Sequence, residues 1–503
     1  MKKYFIFHPF LLAIAPILSL YDHNKDATKL IFLFWPSVIA LAAAGIIFGL
    51  IYLIIKNKNK AALISSVFII MFFLFGQIEG LFKFCGKPFA FLVWLIIGVA
   101  VSLLIVAVNK IFDNLNKYIN YLAVFVVVWS IISISWYEYR NYKTIQKINL
   151  DSYDITFSQT EDKPDIYYLV LDAYGRSDVL KEVYNYDNSD FLDFLTDKGF
   201  YIAQESHANY PQSLLSISSA LNFQYLDNLA MQVGVDSHNR KPLKETIKNN
   251  RVYELLDNNG YTFVTMPYNW LEIADLLKSD IAIGKLEGAE DFNDLIKKNT
   301  LLDLFIRDTT YIQKLGNAIN YSMKNLPEIT KIEEPTFIYM HIVSPHPPFI
   351  FDQDGNLLTD EQTRYGLDGS HYFKYAPDRN QYREKYKNQA IYISKLAKET
   401  IKNIIAGSDT PPIIIVQGDH GPGSMLDWDS AENTNVKERM SILNAYYVPD
   451  QTKKMLYPSI TPVNSFRIIF DSVYGTNFGT IEDKSYFAVW ERPYDFIDVN
   501  DRL

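Results

Sequence analysis

The sequence predicts two unlike parts: an α-helical membrane domain of about five spans, then an α/β domain with a doubly wound, mostly parallel sheet. Three observations predict it. Long apolar runs crowd the first 140 residues. After them, short β-branched runs alternate with amphipathic stretches, the pattern of a parallel sheet covered by helices. Charge also divides between the parts. Residues 1–150 hold 14 Lys/Arg against 5 Asp/Glu, so the net charge of −9 for all 503 residues leaves the remainder near −18. An acidic soluble part argues against nucleic acid as a partner.

The apolar runs are Tyr4–Leu20, Leu30–Ile55, Ala61–Ile78, Phe89–Val108 and Tyr121–Trp136, each long enough or nearly so to cross a bilayer. A cleaved signal peptide fits the first run poorly, because no small-residue cleavage site follows it and four more runs do. An inside N-terminus would place Lys2, Lys3, Lys56, Lys58, Lys60, Lys110 and Lys117 in the cytoplasm. Lys25, Lys29, Lys83 and Lys87 would then lie outside. That bias sets the orientation, and five spans then carry everything beyond about Arg140 outside the cytoplasm. The expected location is the plasma (inner) membrane, multi-pass. The sole cysteine, Cys85, belongs to the membrane part, so the exported part folds without disulfides, as a core of about 350 residues can. The expected division is a transmembrane domain over 1–140, a polar connector over 141–162 and the α/β domain over 163–503.

In that domain the run from Pro164 to Leu171 reads as a buried strand ending at Asp172. Ser189–Lys198 follows as an amphipathic helix, Phe200–Ala203 as a strand and Leu214–Leu221 as a helix. Lys244–Asn258 is expected to be a helix, Tyr261–Met266 and Thr336–Ile342 strands, and Gln381–Ala406 a long charged helix. The stretch Phe349–Asp378 has few hydrophobic runs and reads as a lid or substrate-binding insertion. The apolar run after Pro411-Pro412 ends in Gly418-Asp419-His420-Gly421.

Ligands of open α/β sheets bind outside the carboxyl ends of the strands, where Asp172, Asp419 and His420 are expected. An adjacent Asp-His pair offers an oxygen and an imidazole nitrogen, a mixture suited to Zn²⁺ or Mn²⁺. Ser213, at the start of a helix behind Pro211, is either a cap or a hydroxyl aimed at an incoming phosphate, where the helix dipole favours negative charge. Ser216, one turn on, is its rival. Four of the eight histidines, His207, His341, His346 and His420, fall near strand ends or the Ser213 loop. Neutral imidazole there binds a phosphate oxygen or protonates a leaving group.

Taken in order, the strand ending at Asp172, the Ser213 loop, Ser344-Pro345-His346-Pro347-Pro348-Phe349 and Gly418-Asp419-His420-Gly421 resemble the alkaline phosphatase/sulfatase-like superfamily. With five spans ahead of them, they resemble its phosphoethanolamine transferases and lipoteichoic acid synthases. The resemblance implies a sheet of that superfamily's type. It also implies one divalent metal ion held by Asp172, Ser213, Asp419 and His420, with Ser213 as nucleophile. His346 would contact the substrate phosphate and act in catalysis, and His341, Asn209 and Arg176 complete the implied substrate contacts. His341 is also a candidate ligand of a second metal. The implied reaction moves a phospholipid head-group phosphate, phosphoethanolamine or phosphoglycerol, through a covalent Ser213 intermediate to an envelope glycan or lipid. Hydrolysis with water as acceptor is the alternative, and a non-catalytic membrane binding module the third reading. Leu215 and Ile217 stand where formylglycine sulfatases need Pro and Arg, which argues against that cofactor. No histidine follows His420, so a leaving-group acid has to come from His346, His341 or water.

Overall fold

The protein is described from a computed structural model. The structure describes residues 5–25, 28–81, 86–108, 112–146, 148, 163–266, 273–283, 292–305, 308–358 and 367–503. Cys85 and most of the connector expected over 141–162 lie outside the described residues, as does 359–366 of the expected lid. The chain forms two compact units, one of Met1–Lys143 with Glu290–Arg307, the other of Thr144–Ala289 with Asp308–Leu503.

The first unit contains α1 (His8–Asn24), α2 (Phe34–Ile55), α3 (Lys58–Phe73), α4 (Phe75–Leu81), α5 (Lys87–Ala107) and α6 (Phe112–Ile145). Pro9 sits in the first turn of α1, and the Asn57 side chain caps α3 by accepting from the N–H groups of Asn59 and Lys60. Among the described residues, three helical stretches are long and apolar enough to cross a membrane: Leu30–Ile55, Lys87–Ala107 and Asn114–Ile145. Two of the five apolar runs form shorter pieces. α1 has 17 residues with Pro16 inside it, and the run 61–78 is divided at Leu74 between α3 and α4. Buried polar groups join the helices. His8 bonds Ser66 Oγ at 2.7 Å and Asn116 Oδ1 at 2.8 Å, the kind of interhelical bond that holds apolar helices together. A segment from far along the sequence belongs to this unit as well, the helix Phe292–Asn299 and the 3₁₀ turn Leu301–Phe305. Sequence reading leaves this insert in the α/β domain, because an eight-residue amphipathic helix looks alike on either surface.

The second unit is built on a seven-stranded sheet: β1 (Ile166–Leu171), β2 (Tyr201–Ile202), β3 (Thr262–Thr265), β4 (Ile281–Ala282), β5 (Thr336–Ile342), β6 (Ile413–Gln417) and β7 (Asn444–Tyr447). The order is β2-β7-β6-β1-β5-β3-β4. Strands β6, β1, β5, β3 and β4 run parallel, and β7 is antiparallel to both its neighbours. The mostly parallel, doubly wound sheet expected from the alternating pattern is therefore present, with one reversed strand near an edge that the pattern did not reveal.

Period-two alternation explains the two layers. Tyr167, Leu169 and Leu171 of β1, with Ile414 and Val416 of β6, enter one core. Ile166, Tyr168 and Val170, with Ile413 and Ile415, enter the other. The first face is covered by the helix Arg379–Gly407, whose buried Tyr382, Tyr386, Ala390, Ile393, Ala397, Ile401 and Ile404 follow the spacing of a single stripe. Asp378 caps that helix through the N–H groups of Asn380 and Gln381. The helices Ser213–Asn222 and Pro462–Tyr474 lie on the second face. The single helix expected over 244–258 is two, Lys241–Lys248 and Arg251–Asp257, because the Asn250 side chain accepts from Tyr253 N–H and starts a new helix.

Candidate active site

Strands β5, β1 and β6 are neighbours in register, with Val170 opposite both His341 and Gln417. Their carboxyl ends therefore stop together. His341 is the penultimate residue of β5, Asp172 follows β1 directly, and Asp419 lies two residues beyond β6. Parallel register brings residues some 250 positions apart into one small volume.

Ligand atoms of Asp172, His341 and Asp419 all lie within 4.8 Å of one another, and all three residues are buried. His341 Nε2 is 3.4 Å from Asp172 Oδ2 and 3.9 Å from Asp419 Oδ2. His420 Nε2 is 3.5 Å from Asp172 Oδ1 and 3.5 Å from Asp419 Oδ2. Both Asp172 oxygens, Asp419 Oδ2 and His341 Nε2 are buried without a hydrogen-bond partner. Unpaired buried carboxylates are costly, and four such atoms converging on one point fit a cation. The outer nitrogens are occupied in the sense that favours this. His420 Nδ1 donates to Gly421 O at 3.0 Å, which leaves Nε2 as the bare nitrogen, and Tyr339 Oη lies 3.0 Å from His341 Nδ1. The cluster could hold one divalent metal ion, and its mixed N/O donors suit Zn²⁺ or Mn²⁺. Among the described residues, this is the one such grouping. His341 thus stands with Asp172 and Asp419 in this grouping.

Ser213 is the first residue of its helix, behind an extended Gln212, and its Oγ lies 3.2 Å from His420 Nε2. The rival hydroxyl is engaged elsewhere: Ser216 Oγ donates to Asp419 O at 2.6 Å and is 1 % exposed. His346 comes off the loop after β5. Its backbone N–H donates to Asp172 O at 3.1 Å, its Nδ1 donates to Pro347 O, and Nε2 is 3.7 Å from Asp368 Oδ2. Its ring centroid is 6.0 Å from that of His420.

Electrostatics follow from burial against charge. Burial pushes the Asp172 carboxyl up, but His346, His341 and His420 more than offset this and hold it below the usual carboxylate range. Burial and the Arg439 guanidinium both push the His420 imidazole down, toward its neutral, ligating form.

Two expected substrate contacts have other work. Asn209 is fully buried, donates to Thr461 Oγ1 and Lys484 O, and accepts from Val463 N–H, so its amide ties the Ser213 loop to the C-terminal segment. Arg176 forms a two-pronged pair with Asp178 at 2.8 and 2.9 Å and donates to Ser206 O. Asn209 is thus held by partners some 250 residues away, and Arg176 by Asp178 two residues on and by Ser206.

Sequence reasoning passed over Asp368 and Arg439. Arg439 Nη1 reaches Asp368 Oδ2 at 2.7 Å and Gly421 O at 2.9 Å. Its Nε and Nη2 donate to Pro211 O, and Nη2 lies 3.3 Å from His420 Nε2. One guanidinium thus joins the loops of Ser213, His420 and Asp368. The glycine spacing after His420 is the signal that was available. A Cβ at Gly421 would meet Glu438 O at 2.2 Å, and one at Gly423 would meet the Asp368 carboxylate at 2.6 Å. Both glycines therefore mark where these partners press against the loop.

Comparison with known proteins places this geometry in a family. No curated protein matches the chain. Among solved structures it is similar to the C-terminal periplasmic domain of EptC from Escherichia coli in complex with Zn, at 12 % identity and a TM-score of 0.43, covering 68 % of this chain and 94 % of that one. It is also similar to the periplasmic domain of the phosphoethanolamine transferase EptC from Campylobacter jejuni (10 %, 0.38, 66 % and 94 %). A third is the integral membrane lipooligosaccharide phosphoethanolamine transferase EptA from Neisseria meningitidis (10 %, 0.41, 92 % and 94 %). The family model of the sulfatases matches residues 164–464, a span that runs from the residues just before β1 into the helix Pro462–Tyr474 and takes in Asp172, Ser213, His341, His346, Asp419 and His420. The chain belongs to the sulfatase family, within the alkaline phosphatase/sulfatase superfamily of enzymes acting on ester groups.

Proposed function

We propose that this enzyme is a membrane-anchored, metal-dependent phosphotransferase that takes a phosphoethanolamine or phosphoglycerol head group from a phospholipid and passes it to an envelope glycan or lipid. The observation that carries this reading is the meeting of a helix-start hydroxyl, Ser213, with unpartnered buried ligand atoms of Asp172, His341 and Asp419 beside His420. A divalent cation held by these side chains would supply charge neutralisation at the phosphate and a lower pKa for the serine hydroxyl.

The residues divide the rest of the work. Ser213 Oγ forms the new bond to phosphorus while the bond from phosphorus to the lipid's alcohol oxygen breaks. The start of the Ser213 helix favours the added negative charge. His346, beside Asp368 and partly exposed at 13 %, is placed to give the departing alcohol its proton. The acceptor hydroxyl then displaces the phosphoryl group from Ser213, giving its proton to His346 and returning the serine oxygen as it began. Water in the acceptor's place would make the same site a hydrolase. The catalytic domain is read as extracytoplasmic from the lysine distribution, which sets it beside lipid donors of the outer leaflet.

The test is covalent capture. Full-length protein mixed with phospholipid labelled at the head-group phosphorus should retain label on Ser213 after denaturation, and Ser213→Ala should retain none. Label on the Ser213→Ala protein would overturn the nucleophile, and release of labelled phosphate ester to water alone would select the hydrolase.

A further inference from the structure

The first unit holds two cavities outside the chemistry described above. One has a volume of 450 Å³ and the other 610 Å³, both within the range of about 300–1,000 Å³ typical of small-molecule sites. Ile17, Phe73 and Ile296 line both and form the partition between them. Small side chains, Ala40, Ala43 and Ala44 on α2, open the first cavity. Its polar lining comes from Asn293 and Lys297 of the insert helix. The second has its polar groups in the last turns of α1 (Ser19, His23), on α4 (Gln77) and at the end of the insert helix (Asn299, Thr300).

The insert contributes polar groups to both cavities. Phe292, Leu295 and Ile296 form its apolar stripe. Phe292 packs edge-on to Tyr21 at 6.0 Å, and Leu295 and Ile296 lie in the same cluster as Ile17. Asn293 and Lys297 fall on the adjoining stripe, one helical turn apart. Two contacts fix the insert. Gly76 lets Lys298 O approach so closely that a Cβ would lie 2.9 Å from it, and Lys87 pairs with Asp303 at 2.6 Å.

Two largely apolar slots with a shared wall, each with polar groups from the insert in its lining, have the shape of a two-chain amphiphile. We propose that the two cavities bind the acyl chains of one diacyl phospholipid, with its phosphate beside Lys297. A helix, about 10 Å across with its side chains, cannot enter slots divided by Ile17, Phe73 and Ile296. Lys297, the lysine of the first cavity's lining, is paired with Asp294 at 2.5 Å, and a phosphate would share its ammonium with that carboxylate. The lipid's role as donor rests on the phosphotransferase reading; its binding does not.

The experiment uses full-length protein in detergent. Dioleoyl phosphatidylethanolamine is the probe, and lipid retained per chain after gel filtration is measured by mass spectrometry. Wild type should retain one lipid, and Ala43→Phe combined with Ser19→Phe, which fills both slots from exposed positions, should retain at least tenfold less. The control pair Ala43→Ser with Ser19→Ala should retain it like wild type. Turnover adds a second arm: the filled variant's ratio of rates on the diacyl lipid and on chain-less glycerophosphoethanolamine should fall at least tenfold. Equal retention by wild type and the filled variant, or no retention by wild type, would overturn the site. Retention that follows this pattern with no turnover of either compound would instead overturn the phosphotransferase reading and leave the lipid site standing.

Discussion

Arg439 Nη1 donates to Asp368 Oδ2 at 2.7 Å, with both side chains almost fully buried. Burial pushes the Asp368 carboxyl up, but Arg439 first and then His346 more than offset it and keep it ionised. The pair links the Asp368 segment, and with it His346, to the loop of His420. Removing one partner of a buried pair costs about 3–5 kcal/mol because the other charge is left uncompensated. Arg439→Met should therefore lower the melting temperature sharply, and Asp368→Asn on top of it should restore much of the loss. Neither should restore turnover, because the guanidinium also holds Pro211 O and Gly421 O. Arg439→Lys, with a point charge where a planar fork is needed, should fold but lose at least tenfold in kcat. Full activity in Arg439→Lys would contradict this account.

Gln389 is a second hub, on the helix Arg379–Gly407. Its Oε1 accepts from Ile350 N–H at 2.7 Å and Phe351 N–H at 3.1 Å, and its Nε2 donates to His346 O at 3.0 Å and Pro345 O at 3.2 Å. One buried amide thus satisfies the backbone of the turn that carries His346. Gln389→Ala should cost about 2–3 kcal/mol of stability through unsatisfied buried groups. The expected kinetic signature is a fall in kcat with KM little changed, read from initial rates on a phosphodiester. Gln389→Glu, which keeps the acceptor but loses the donors, should fall between the two.

These hubs show where sequence stopped being informative. Asp172, Asp419 and His420 were legible because parallel strands deliver residues to one edge, and strand ends can be read from a β-branched run and the turn after it. His341 was visible as a histidine at a strand end, but its alignment with Asp172 depends on register, which no single strand carries. Glu438 and Arg439 sit in the charged run Lys437-Glu438-Arg439, yet each is 1 % exposed. Asp368 lies in a stretch without periodicity, so nothing local distinguishes it. For Asn209, proximity to a motif suggested substrate contact, and nothing local announced the partners Thr461 and Lys484 some 250 residues away. The insert Phe292–Asn299 belongs with the first unit for reasons written in Gly76 and Tyr21, not in its own residues.

The buried carboxylates predict an opposite pair of responses to metal removal. In wild type a chelator should lower the melting temperature, because Asp172 and Asp419 are then left facing each other without a counter-charge. Asp419→Asn removes one of those charges. Its bound metal, measured by inductively coupled plasma mass spectrometry, should fall roughly tenfold or more. Its melting temperature in chelator should nonetheless match or exceed that of chelated wild type. A variant that kept its metal and responded to chelator like wild type would exclude Asp419 as a ligand.

His207 supplies a pH dependence independent of the metal cluster. Its Nε2 accepts from Arg176 Nη1 at 3.1 Å, and burial, then the Arg176 charge, push the imidazole down from 6.5 to about 4. The folded state thus binds fewer protons than the unfolded one between these values, so stability falls as pH drops from about 6.5 toward 4. The loss approaches about 3 kcal/mol from this group alone, taking 1.36 kcal/mol per pKa unit. Above pH 7 it contributes nothing. His207→Gln keeps an acceptor for Arg176 and cannot titrate. Melting temperatures of the two proteins should therefore be close at pH 7.5 and diverge progressively below pH 6, with the variant the more stable. Parallel curves from pH 7.5 to 4.5 would show that His207 takes up its proton as easily in the folded protein as in the unfolded chain.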